Sequence, residues 1–152
     1  MYTLIRPLAA LALGLLGWLA AEAYRPLNVL ASDSVTFALW TAGISAAVGW
    51  RFPGSQIGRK LWFSVYASLQ AVALAALATS ALFALRQVFI LGYRRQYREP
   101  MDAFTGYFDI LVSFLVTGFE RDFLILLGVG GVVIGLALHV LNQMMERRRL
   151  TR

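Results

Sequence analysis

The sequence predicts an all-α membrane protein: a four-transmembrane-helix bundle with an additional amphipathic helix between the third and fourth spans. Four uncharged apolar runs divide the 152 residues, at 7–21, 34–50, 61–85 and 123–145. Hydrophobic residues make up 59% of the chain and charged residues 14%. Soluble domains carry roughly 25% charged residues, so this apolar excess has to face lipid. The basic residues, finally, flank the runs instead of interrupting them.

A helix crosses a bilayer core of about 30 Å with about 20 mostly apolar residues. The third and fourth runs meet that length outright. The first meets it when residues 2–6 and 22–24 are counted as interfacial turns, and the second when Ser32 and Asp33 are added. The expected spans are therefore about 4–24, 34–50, 61–85 and 123–145, in a single membrane domain over residues 1–152. The first 23 residues also imitate a signal peptide, with Arg6 ahead of a short apolar run and Ala21-Glu22-Ala23 in the A-x-A form. Retention is the reading that keeps the count of spans even.

Between the third and fourth spans, Pro100 suits a first helical position with Glu99 as its cap, and Gly118 suits a stop. In a helix over about 100–118, Phe104, Tyr107, Phe108, Leu111, Phe114 and Leu115 share one face. Asp102, Thr105, Asp109, Ser113 and Thr117 share the other. Such a helix lies on the outer surface or against the bundle rather than crossing.

Charge sets the expected topology. The loop 51–60 carries Arg51, Arg59 and Lys60 without an acid, and the tail 146–152 carries four arginines and Glu146. The positive-inside rule places both, with the N-terminus, in the cytoplasm. Glu22, Asp33, Glu99, Asp102, Asp109, Glu120 and Asp122 then fall outside. Arg94, Arg95 and Arg98 are the exception to the rule, close to Glu99 and Asp102. Trp50 and Trp62 bracket the inner loop, and Tyr24 and Tyr93 stand near the outer boundary, where amphipathic rings are favoured.

Composition also bounds function. The chain has no cysteine, which excludes disulfides, thiol chemistry, iron–sulfur clusters and cysteine-ligated zinc. With one histidine and no carboxylates clustered within a span, neither a metal site nor a cofactor is expected. The net charge of +6 flanks the spans, so the partners it implies are anionic lipid headgroups and not nucleic acid. No Walker loop, dinucleotide fingerprint, HExxH or GxSxG is present, and an enzyme is not expected.

A few polar residues are candidates for function. Glu22 and Arg25 share a face at the outer end of the first span and, with Glu120, Arg121 and Asp122, frame either an outer vestibule or a set of solvated caps. Gln70 is the one amide deep in the third span, and Arg86 stands at its outer edge. On the last span Gly128, Gly131, Gly135, His139 and Asn142 lie on one row, with Gly131 and Gly135 as a GxxxG. Without Cβ atoms, helices approach closely there. The row turns His139 toward packed protein, where it serves either as a proton-handling group or in an interhelical hydrogen bond. Ala67, Ala71, Ala75 and Ala78 form a second small-residue ridge; Ala10/Gly14, Gly17/Ala21 and Gly43/Ala47 repeat the pattern on the first two spans.

Several short motifs occur in a fixed order: Gly17-Trp18 with Glu22 and Arg25-Pro26; Ala42-Gly43-Ile44 with Gly49-Trp50-Arg51, Gly54 and Gly58; and Arg95, Tyr97 and Pro100 ahead of the amphipathic stretch. Together they resemble the TrgA family of small bacterial integral membrane proteins associated with tellurite resistance, over most of the chain. The resemblance implies a contribution to tellurite or oxyanion tolerance from the bacterial inner membrane, non-enzymatic as far as the sequence motifs show. It transfers no catalytic residue. The alternatives are an accessory or assembly subunit of a larger membrane complex and a small oligomeric transporter or channel, because about 17 kDa leaves little room for a substrate path within one copy.

Overall fold

In a computed structural model, residues 5–27, 34–51, 61–94 and 99–150 are described, with the side chains of Ile5, Ser34 and 146–150 left aside. They form five helices: α1 (Ile5–Tyr24), continued by a 3-10 turn at Arg25–Leu27, α2 (Ser34–Arg51), α3 (Leu61–Tyr93), α4 (Pro100–Gly118) and α5 (Arg121–Leu150). Residues 1–4, Ser32, Asp33, 52–60, Arg95, Tyr97 and Arg98, and the charged side chains of the tail, for which the sequence sets expectations, lie outside the described residues.

Among the described residues three helices are long and apolar enough to cross a membrane, where four were expected: Arg6–Leu27, Leu61–Tyr93 and Arg121–Met145. The exception is α2. Its 18 residues include Thr36, Thr41, Ser45, two glycines and a terminal Arg51, which dilute its apolar content. The amphipathic α4 runs over the expected 100–118.

α1 and α2 are the most extensively paired elements. They run antiparallel, and glycines let their backbones touch. A Cβ at Gly17 would collide with the Ser45 side chain, and one at Gly49 would stand 2.7 Å from the Ala9 carbonyl oxygen. Gly43, expected in the same role, faces nothing within 4 Å, because the α2 seam follows Thr41, Ser45 and Gly49 instead. α3 and α5 form the second antiparallel pair, along Ser64, Ser68 and Val72; Ala67, Ala71 and Ala75 of the expected ridge are all buried. Gly131 packs on Leu69 and Val72, and a Cβ at Gly135 would lie 2.8 Å from the Val65 Cα. Gly128 meets nothing, so the packing row begins at Gly131, joined by Gly130, which meets Leu16 of α1.

Two buried clusters hold the bundle at different levels. One joins Ala9, Leu13, Leu16, Ala71, Val72, Ile134 and Leu138. The other is an aromatic layer of Tyr24, Phe37, Phe83 and Phe114 with Phe123 against it. Phe37 and Phe83 have ring centroids 4.5 Å apart, and Tyr24 meets Phe123 edge-on at 5.3 Å. Tyr24 is 7% exposed, so it is a member of this layer and not the interfacial ring expected of it. The hydroxyl of Tyr24 donates to the Phe114 carbonyl at 2.9 Å, which ties α4 to α1.

α3 is longer than its apolar run by eight residues, since Arg86-Gln87 is followed by a helix-compatible Val88-Phe89-Ile90-Leu91. It rises ~33 Å from Leu61 to Phe83 and a further ~15 Å to Tyr93 at ~1.5 Å per residue. α4 returns along this extension: Val88, Phe89, Gly92 and Tyr93 face Glu99, Pro100 and Ala103. The two make a helical hairpin, here called the arm, beyond the aromatic layer.

Pro100 opens α4 as expected, but the Glu99 side chain makes no capping bond; its carbonyl accepts the Asp102 N–H at 3.1 Å. The expected apolar face of α4 divides. Phe114 is buried and Tyr107, Leu111 and Leu115 are half-buried, whereas Phe104 and Phe108 remain 60% and 47% exposed. α4 ends at Gly118, where the Phe119 N–H bonds to the Leu115 and Val116 carbonyls. α5 begins at once, with the Leu124 N–H on the Glu120 carbonyl.

Candidate functional site

Two places in the bundle concentrate polar groups or space. The first is the α3–α5 seam near the end of α5. His139 is buried there, and its Nδ1 lies 3.2 Å from Ser64 Oγ on α3. Its Nε2 lies 3.2 Å from the Gln143 amide nitrogen, one turn along α5. An imidazole that accepts the Gln143 N–H at Nε2 carries its own proton on Nδ1 and donates it to Ser64. Ser68 donates to the Ser64 carbonyl at 3.0 Å, and Asn142 is buried beside them. The seam is narrow because Gly135 has no side chain. This geometry is that of an interhelical hydrogen bond, one of the two roles open to His139. Ser64 is its unanticipated partner, with Ser68 bonded to the Ser64 carbonyl; their signal in the sequence is that they continue the small-residue ridge of Ala67 and Ala71.

The second is a hollow of about 580 Å³ lined by residues of all five helices and open at the bundle surface. The aromatic layer closes one end. Leu13, Leu16, Val72 and Leu127 line the other, and Gly17, Ala76 and Gly128 make the room. Among the described residues no charged side chain lines it. Thr41, Ser45, Thr79 and Ser80 are among the residues around it. A threonine in a helix usually bonds the carbonyl one turn back, as Thr41 does to Phe37 at 2.8 Å. Thr79 does not: it is 8% exposed, and its Oγ1 is buried without a hydrogen-bond partner.

The remaining candidates sit apart. Arg25 Nη1 forks onto both Glu22 carboxylate oxygens, at 2.9 and 2.8 Å, on the bundle surface. Glu120, Arg121 and Asp122 are exposed and make no hydrogen bond or ion pair to that pair among the described residues. Gln70 is half-buried and hydrogen-bonds to nothing described, and Arg86 is exposed at the base of the arm. Neither lines the hollow. Among the described residues no group of three or more histidines and carboxylates is placed to hold a metal. No protein-family model, curated protein or solved structure matches this chain.

Proposed function

We propose that this chain is a four-pass protein of the bacterial inner membrane, similar to the TrgA family, that contributes to tellurite and oxyanion tolerance without catalysing a reaction. The observation that best supports this is the separation of charge from the interior. The hollow is lined by apolar and hydroxyl side chains, while Glu22, Arg25, Arg86, Glu120 and Asp122 lie at the surface. A tellurite anion would lose its hydration in such an interior without gaining a partner. A chain without cysteine also has no thiols with which to reduce tellurite. Protection then comes from supporting the envelope or from acting with a partner.

α2 is the fourth crossing in this reading. At ~1.5 Å per residue its 18 residues span ~27 Å, close to the bilayer core. Thr41 and Ser45 face α1, whereas Val35, Leu39 and Trp40 are exposed as lipid-facing residues should be. Hydropathy averaged over the whole helix counts the inward hydroxyls against it.

A second reading, an accessory or assembly subunit of a larger membrane complex, is favoured by the arm. Phe89 and Tyr93 of α3 and Met101, Phe104, Phe108 and Val112 of α4 are all exposed there.

The test is deletion of the gene, with growth and cell-associated tellurium measured under tellurite, before and after complementation. Lost tolerance with raised tellurium supports exclusion at the envelope, and lost tolerance with unchanged tellurium supports protection downstream. Unchanged tolerance in a host without redundant resistance genes would overturn the proposal and favour the subunit reading, which co-purification in mild detergent at fixed stoichiometry then tests.

A further inference from the structure

We propose that the arm pairs with the arm of a second copy of this chain, about a two-fold axis along the membrane normal, through the exposed apolar stripe of α4. The proposal rests on the membrane reading and not on tellurite tolerance.

The stripe is Met101, Phe104, Phe108 and Val112, whose helical spacing keeps them on one side of α4. All four are exposed, and the Phe104 and Phe108 rings meet edge-on at 5.1 Å instead of turning into the bundle. Counted from Phe114 in the aromatic layer, Phe108 lies ~9 Å and Met101 ~20 Å farther out, past the hydrocarbon. With Phe89 and Tyr93 of α3, these side chains expose about 700 Å² at ~200 Å² per aromatic side chain. That approaches the ~800 Å² that each partner contributes to a standard protein interface. It exceeds the few hundred Å² of apolar patch that a lone chain ordinarily leaves in water.

Charge selects a second copy over an unrelated partner. The arm carries two exposed acids on α4, Asp102 and Asp109, and two exposed arginines on α3, Arg86 and Arg94. None of the four makes an ion pair among the described residues. α3 and α4 run antiparallel along the arm, with Phe83 and Phe114 together in the aromatic layer. Counted from that layer at ~1.5 Å per residue, Arg86 stands ~5 Å up and Asp109 ~8 Å, while Arg94 stands ~17 Å up and Asp102 ~18 Å. Copies inserted by the same charge rule share one orientation. A closed pair is then related by a two-fold axis along the membrane normal, which preserves height. Asp109 of each copy therefore meets the level of Arg86 in the other, and Asp102 the level of Arg94.

The edges match as well. Asp102 and Asp109 each follow a stripe residue by one position, ~100° round the helix. The opposite edge of the stripe is half-buried at Tyr107 and Leu111 and leads to α3 through Ala103. When two parallel helices pack about a two-fold, the left edge of one meets the right edge of the other. The acid edge of each α4 thus faces the other copy's α3. Exposed ion pairs add little affinity by themselves. Here they fix the pairing and reject wrong partners, while the stripe supplies the burial.

The experiment uses the full chain in its host membrane, with two copies carrying different affinity tags. Wild-type copies should capture one another after extraction in mild detergent. Asp109→Arg alone and Arg86→Asp alone should each lower that capture at least ten-fold, because like charges then meet at two symmetric places. Asp109→Arg on one copy with Arg86→Asp on the other should restore it to within about three-fold of wild type, since both places then hold an acid opposite an arginine. An ion pair within one arm gives no such recovery. A chain without cysteine allows a geometric check. Val112→Cys, on the stripe, should form a disulfide-linked dimer on oxidation in isolated membranes, and Leu11→Cys, exposed on α1, should not. Unchanged capture in either single variant, no recovery in the mixed pair, or Val112→Cys linking no better than Leu11→Cys would overturn the proposal. Absence of wild-type capture would do the same. A companion protein at fixed stoichiometry, lost on Phe104→Ala, then assigns the stripe to a different partner, and a Phe104→Cys shielded from a membrane-impermeant maleimide assigns it to lipid. If Asp109→Arg does not reach the membrane, the comparison of Val112→Cys with Leu11→Cys decides alone. The membrane reading is scored separately, by whether the chain stays in the membrane pellet after an alkaline wash.

Discussion

His139 and Gly135 show what single residues contribute to the α3–α5 seam. The imidazole is engaged from both sides, by Ser64 across the seam and Gln143 along its own helix. Ser64→Ala leaves the buried Nδ1 without its hydrogen-bond partner and should cost about 1–2 kcal/mol in thermal unfolding in detergent. Gln143→Leu should cost less, because Gln143 is exposed and water can replace its amide. Equal losses would mean that the Ser64 bond is not the one that holds the histidine. Gly135→Val drives a methyl into the α3 backbone, which cannot swing aside as a side chain can, and should cost about 1–3 kcal/mol. Gly128→Val, one of the same row, should be near neutral because its Cβ meets open space. The 3.6-residue period placed His139, Asn142 and Gly135 on one packed row from sequence. It could not name Ser64, since nothing in a single chain's pattern states the register between two antiparallel helices.

Among the elements, α3 departs furthest from its hydropathy. Its apolar run ends at Leu85, yet the helix continues to Tyr93, because Arg86 and Gln87 are good helix formers and no proline or glycine follows until Gly92. The absence of cysteine makes the arm simple to test. Cysteine introduced at Tyr93 or Thr105 should react with a membrane-impermeant maleimide in intact spheroplasts. Cysteine at Leu77 or Val133, which are exposed on the bundle but within its apolar height, should be protected. Protection of position 93 would place the arm in the lipid instead. The limits of α4 were readable from Pro100 and Gly118. Its split face was not, because an amphipathic pattern reports that a face is apolar and leaves open how much of it a neighbour covers.

For the whole molecule the prediction is topological. Four crossings with basic segments inside place residue 56 and both termini in the cytoplasm. Reporter fusions at the N-terminus, at residue 56 and at the C-terminus should all report a cytoplasmic location. A fusion at residue 56 that reports outside, with α2 at the surface, would reduce the crossings to the three helices that satisfy length and apolarity alone. The packing of α2 against α1 is the reason to expect four. Buried hydroxyls and glycines that lower its hydropathy are the groups that fit it to its neighbour.

By itself the sequence determined the helical class, the positions of the helices to within a few residues at most ends, and the small-residue rows. These follow from composition and from a period that each segment carries alone. Only the tertiary structure decided that Gly43 and Gly128 stand free while Gly49 and Gly130 are packed, that Tyr24 joins a buried aromatic layer, and that the helices leave a hollow beside an unpartnered Thr79. Those depend on the axial register and rotation of one helix against another, which lie in contacts between distant residues and leave no mark in either segment's own periodicity.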